Sequence, residues 1–175
     1  MHDVTVELLL ASPLHRYEGR PEDGPVEAEG RELFESIDLR AGLGIVGDRY
    51  FGHPAHVGSA VTVIAAESLE HVARTLGLPE VPHASFTRRN IVLRGVDVDD
   101  LRNVVFSLDT DAGPVLFRGH RPANPCAWMD AAIAQGAHSA LRGRGGMRCE
   151  VLSDGTLTLG PAVLRSSAEL GPAPV

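Results

Sequence analysis

The sequence is cut into short apolar packets, and that limits what it can fold into. "VTVELLL" (Val4–Leu10), "AVTVIAAE" (Ala60–Glu67), "NIVLRG" (Asn90–Gly95), "NVVFSL" (Asn103–Leu108), "GPVLFRGH" (Gly113–His120) and "MRCEV" (Met147–Val151) are β-branched or apolar. Such short β-branched runs have the pattern of strands. "VDVDDL" (Val96–Leu101) reads as a turn or one helical turn, and "AVLRS" (Ala162–Ser166) as a last short strand.

Helical periodicity is confined to two places. In "ESLEHVARTLG", Leu69, Val72, Ala73 and Leu76 fall on one face, and Gly77 and Pro79 stop the run. After "HRPANPCAWMD" (His120–Asp130), Asn124 reads as an N-cap with Pro125 at the first helical position, giving a helix to about Gln135. "MRCEVLSDGTLTLG" predicts a hairpin turning at Asp154-Gly155. Seven or eight strands with two main helices and no regular alternation fit a barrel better than a doubly wound sheet. The expected fold is mainly β (α+β): a twisted, largely antiparallel β-barrel with a few peripheral helices, as a single domain over residues 1–175.

Charge separates along the chain. Residues 1–39, a strand followed by an acidic, Gly- and Pro-rich excursion, hold ten acids and three arginines; residues 40–175 hold thirteen of each. No basic stripe exists to neutralise phosphates, so a nucleic-acid partner is not expected. All sixteen basic residues are arginine, which removes lysine Schiff-base chemistry and the P-loop. No apolar run is long enough to span a bilayer, and the first residues lack the features of a secretory signal. Two cysteines 23 positions apart make neither a disulfide framework nor a zinc site, so a reducing cytoplasm is the expected compartment.

Cys126 has two readings. As the second residue of a helix capped by Asn124, with Arg118 and Arg121 upstream, its sulfur meets conditions that favour thiolate, the form that attacks electrophiles and binds soft metals. Alternatively it shares a helical face with Met129 and Ile133 and is packed. Cys149, alternating with Met147 and Val151, is the packed cysteine for comparison. A Cys–His hydrolase would require His120 or His138 as base.

Arginine supplies the other candidates. Arg88 and Arg89 precede Asn90, with Arg94 close behind, and residues 112–150 hold five arginines against two acids, Arg121 and Arg148 among them. Guanidinium groups at that density suit a phosphate-bearing ligand, and an exposed loop is the competing reading. In "GDRYFGHPAH" (Gly47–His56), Asp48 and Arg49 are candidates for pairing or for orienting a ligand. His53 and His56 lack a third metal ligand nearby in sequence.

"GIVGDRYFG", "VTVIAAESL", "RRNIVLRGVDVDDL", "NPC" and "RGGMRCEVLSDGTLTLGPAV" occur in this order over residues 40–165. The ordered set resembles the MOSC family, named for the C-terminal domain of molybdenum-cofactor sulfurase. The resemblance implies a β-barrel fold and a family cysteine at Cys126. That cysteine would either ligate molybdenum in a pterin cofactor (molybdopterin) or carry sulfur as a persulfide. It further implies a pocket built in part by Arg88, Arg89 and Asn90; Asp48, Arg49, Arg121, Asn124 and Arg148 are the further candidates for holding the cofactor. The implied activity is reduction of N-hydroxylated or similarly oxidised small molecules. No desulfurase domain, second barrel or iron–sulfur segment accompanies the resemblance, so a separate electron-donor or sulfur-donor protein is implied. A non-catalytic binding barrel is the remaining alternative, and would leave function intact without the Cys126 thiol.

Overall fold

The computed structural model describes residues 1–173. Its strands are β1 (His2–Leu10), β2 (Leu33–Phe34), β3 (Ser36–Arg40), β4 (Gly44–Ile45), β5 (Val61–Ala65), β6 (Ile91–Arg94), β7 (Val105–Asp109), β8 (Pro114–Pro122), β9 (Met147–Val151), β10 (Gly155–Thr158) and β11 (Gly160–Ser166). Three α-helices join them: α1 (Ala66–Leu76), α2 (Trp128–Ala132) and α3 (Ala137–Ala140). No helix among the described residues is long and apolar enough to cross a membrane.

Seven strands in the order β11-β7-β8-β9-β5-β6-β1 close into a barrel through a β1–β11 pairing, and β2 extends β1 outside the ring. Only β5 and β6 run parallel; the other pairs are antiparallel. Alternation along each strand fills the interior, with Val61, Val63, Ile91, Leu93, Phe106, Phe117, Cys149 and Leu164 in one buried cluster. Phe106 and Phe117 stack there at 5.3 Å between ring centroids. Strand β5 is buried on its outer face too, where Ile64 packs with Leu8, Leu10 and Val92. The expected barrel is the observed one, and Cys149 is packed as expected, with burial pushing its thiol well above the usual range.

The predicted hairpin does not form. Strand β9 pairs with β5 and β8, whereas β10 pairs with β3 in a separate three-stranded sheet, β10-β3-β4. Asp154 accepts the Ala41 N–H at 2.8 Å, and Gly42 N–H donates to the Val151 carbonyl, so the turn is fastened to the connection between β3 and β4 rather than to its own strands. Gly155 serves close packing: a Cβ there would lie 2.6 Å from Val115 Cγ2.

Helix α1 matches the periodicity, and Gly77 in the left-handed conformation ends it. The second helix does not. The helix begins only at Trp128, with Ala127 rather than Asn124 at its N-cap. The backbone before it is committed elsewhere, since Ala123 N–H donates to the Gly146 carbonyl at 2.7 Å. Cys126 therefore sits in the connection before a five-residue helix, and the helix-dipole argument for its thiol lapses. The packed reading lapses as well: Met129 is buried, but Cys126 is exposed.

Candidate functional site

Cys126 opens on a cleft of about 190 Å³ on the outer wall of the barrel, lined also by Arg49, Ser59, Thr62, Arg89 and Arg148. Thr62 lies opposite Arg148 across the β5–β9 pair, and Arg148 lies opposite Arg121 across β8–β9. A register shift between Gly119 and Arg121 bends β8 at the point where it leaves the barrel towards the cysteine.

Arg89 holds the cysteine loop. Its Nε donates to the Gly145 carbonyl at 2.8 Å, and its Nη2 donates to the carbonyls of Ala123 (2.6 Å) and Asn124 (3.3 Å). Nη1 donates to the Thr87 carbonyl at 3.3 Å. Gly145 lets the loop approach, because a Cβ there would lie 2.4 Å from the Ala123 carbonyl oxygen. Burial, and then Arg148 beside it, lower the Arg89 pKa to about 10, with Cys126 acting in the opposite direction. Arg89 stays cationic at neutral pH, but its donors are spent on the protein.

Asp48 and Asn90 are buried and saturated. Asp48 accepts N–H bonds from Ser12 (3.2 Å) and Tyr50 (3.1 Å), and from the Asn90 amide (3.2 Å). Asn90 Oδ1 accepts from the Thr62 N–H and hydroxyl, both at 2.9 Å, and its amide also donates to the Leu10 carbonyl. The two tie β1, β5 and the Asp48–Tyr50 turn together beneath the cleft, as positioning residues.

Arg49 differs. Its Nε and Nη1 are buried and have no hydrogen-bond partner among the described residues. Asp48 is 3.9 Å from Nη1, and the guanidinium lies 4.7 Å from the Tyr50 ring centroid. Buried guanidinium donors are costly to leave unpaired. Arg121 and Arg148 face each other as like charges, an unfavourable cross-strand pair. His56 reports the same field: burial, then His53, Arg148 and Arg121, lower its pKa and favour the neutral ring.

Three arginines close in sequence, Arg88, Arg89 and Arg94, separate in space. Arg88, at φ +57°, binds Glu32 with two hydrogen bonds of 2.7 and 3.0 Å, while Arg89 clamps the cysteine loop. Arg94 pairs with Glu7 and Glu70, away from the cleft. Arg148 and the exposed Asn124 line the cleft; Arg121, also exposed, does not line it but lies opposite Arg148 in the β8–β9 pair. Among the described residues, no side-chain hydrogen bond joins His120 or His138 to Cys126; His120 bonds Glu150 at 3.0 Å, and the His138 N–H donates to Asp130. No cluster of three or more His, Cys, Asp or Glu able to hold a metal occurs among the described residues.

Sequence reasoning missed Glu32, Tyr17, Ser59 and Thr62. Glu32 also accepts from Arg16 at 3.0 Å, and Tyr17 stacks on Trp128 at 4.8 Å and 3°. Burial would raise the Glu32 carboxyl, but hydrogen bonds from Arg88, Ser12 and Arg16 outweigh it and hold its pKa at about 2.

The MOSC domain family matches residues 48–164, from the buried Asp48 to the last barrel strand. The chain belongs to the MOSC family. Its barrel is similar to that of the YuaD protein from Bacillus subtilis, with 16% identity, a TM-score of 0.69, and 97% of this chain and 100% of that one covered. It is also similar to YiiM from Escherichia coli, at 15% identity and TM-score 0.61, covering 97% and 72%. YiiM from Geobacillus stearothermophilus gives 15% and 0.61 over 93% and 75%. These likenesses show the fold alone. No curated protein sequence matches the chain. The excursion carrying Tyr17 and Glu32 precedes the matched MOSC region.

Proposed function

We propose that this MOSC protein binds the molybdenum cofactor through Cys126 and reduces small N-hydroxylated or similarly oxidised molecules. The observation that carries the reading is one cleft containing both an exposed thiol and the unpaired buried donors of Arg49. A soft thiolate suits a soft metal, and guanidinium donors suit a phosphate. Among the described residues no cluster of protein ligands stands beside Cys126, so a metal held there would need ligands that arrive with it, as the pterin cofactor would supply.

Arg49 and Arg148 would receive the phosphate, with Arg121 and the Asn124 loop at the rim. Arg89 would fix the loop so that the Cys126 thiolate holds one position. Arg88, Asp48 and Asn90 would support the walls rather than touch the ligand. When bound, the cofactor supplies two-electron redox chemistry. Overall, an N–OH group, two electrons and two protons give N–H and water, the electrons coming from a separate donor protein.

Molybdenum analysis of protein made in a cofactor-competent host is the test. Stoichiometric molybdenum that is lost in Cys126→Ala supports the proposal; metal-free wild-type protein overturns it. The exposure of Cys126 also favours a second reading, a persulfide carrier loaded by a donor protein. That reading predicts no molybdenum, and one added sulfur on Cys126 after incubation with a desulfurase and cysteine.

A further inference from the structure

Beside the thiol cleft lies a larger cavity, of about 380 Å³, and the two share Arg16, Tyr17 and Arg88 as their common wall. Apart from Glu32 and Ser85, its other walls are apolar. Trp128 stacks on Tyr17, and Phe86 and Leu33 line it while remaining 43% and 38% exposed, a high fraction for such side chains. Ala131 and Ala132 of α2 leave its floor open.

The charges that reach this cavity are already matched. Glu32 binds Arg88 through two hydrogen bonds and Arg16 through a third, and the Arg16 Nε also donates to the Val26 carbonyl. The Tyr17 hydroxyl donates to the Phe86 carbonyl at 2.7 Å. Unpaired cationic donors lie instead in the thiol cleft, at Arg49. The two compartments therefore select different chemistry: an anion beside Cys126, and a neutral, flat, apolar group beyond Tyr17.

We propose that the second cavity is the subsite for the aromatic or otherwise flat apolar body of a neutral substrate, whose polar reacting end enters the thiol cleft. Phe86, Tyr17 and Trp128 are then its specificity-determining residues. The assignment of the reacting end rests on the function proposed above; the apolar subsite itself is tested without cofactor.

The readout is fluorescence of Trp128, the only tryptophan in the chain. Naphthalene-2-carboxamide is titrated into the purified protein, with acetamide as the probe that lacks an apolar body. Saturable quenching by the naphthyl probe alone is expected. Phe86→Ser, at an exposed position, should weaken it roughly tenfold by removing an aromatic wall. Ala131→Phe, also exposed, should weaken it at least as much by filling the cavity. Inorganic phosphate and Cys126→Ala should leave the titration unchanged. Absence of saturable binding to wild type, equal binding to both cavity variants, or displacement by phosphate overturns the proposal. Protein from a cofactor-competent host that carries no molybdenum yet still binds the naphthyl probe would sink the cofactor reading alone.

Discussion

Arg88 and Glu32 stand 56 residues apart in the chain and meet in a two-pronged ion pair of 2.7 and 3.0 Å at the wall between two cavities. The pair fastens the acidic excursion to the barrel, with Arg16 as a second cation on the same carboxylate. Both partners are largely withdrawn from solvent, at 10% and 12% side-chain exposure, so the contact is worth more than an ordinary surface bridge.

The pair makes stability depend on acid. The Glu32 pKa is held at about 2, below its usual 4.5, so its contribution is complete above about pH 5 and fades as pH falls towards 2. Allowing for solvent screening, Glu32→Gln should cost on the order of 1–3 kcal/mol at pH 7. Urea unfolding at pH 7 and pH 3 should show that deficit narrowing in acid. A deficit that widens at pH 3 would contradict the assignment.

Arg89→Lys should loosen the cysteine loop. A lysine cannot reproduce the fork that reaches Gly145, Ala123 and Asn124 together, so buried carbonyls lose their donor. The expected cost is about 2–4 kcal/mol, with faster amide exchange at Ala123. Hydrogen exchange read at single-residue resolution checks it, and unchanged protection at Ala123 would count against the clamp.

The two cysteines should behave as opposites. In native protein, iodoacetamide should modify Cys126 and spare Cys149, which is fully buried and has its thiol pKa raised by burial. Mass spectrometry of digests after a short exposure gives the ratio. Equal labelling of both sites in folded protein is the outcome that would refute it.

Gly155→Ala should destabilise the protein by about 1–3 kcal/mol, because the new methyl meets Val115 at 2.6 Å. Adding Val115→Ala should recover part of that loss, a non-additivity measurable in a double-mutant cycle. Strictly additive costs would show that the two positions do not touch.

The barrel was legible because it depends on short-range alternation, as in Val61, Val63 and Ala65 or Met147, Cys149 and Val151. Partner choice was not. Asp154-Gly155 carries a strong hairpin signal, yet Ala41 captures the Asp154 carboxylate and Val115 accounts for the glycine. Asn124-Pro125 reads locally as a helix start, but Gly146 and Arg89 hold the preceding backbone in place. The arginines were legible as candidates, whereas their division into a clamp, a wall and an open donor depends on Gly145, Glu32 and the burial of Arg49. Glu32 itself looked like one acid among ten.

The seam between β1 and β11 has a consequence for how the molecule forms. His2 registers with Leu164 and Val6 with Gly160, so the ring shuts by joining segments from opposite ends of the described chain. That closure carries a large loop entropy, and the pairings it needs are non-local, which places the protein among slow folders, on the order of milliseconds to seconds. Until β11 arrives, one edge of β1 stays unpaired, a surface on which nascent chains can adhere to one another.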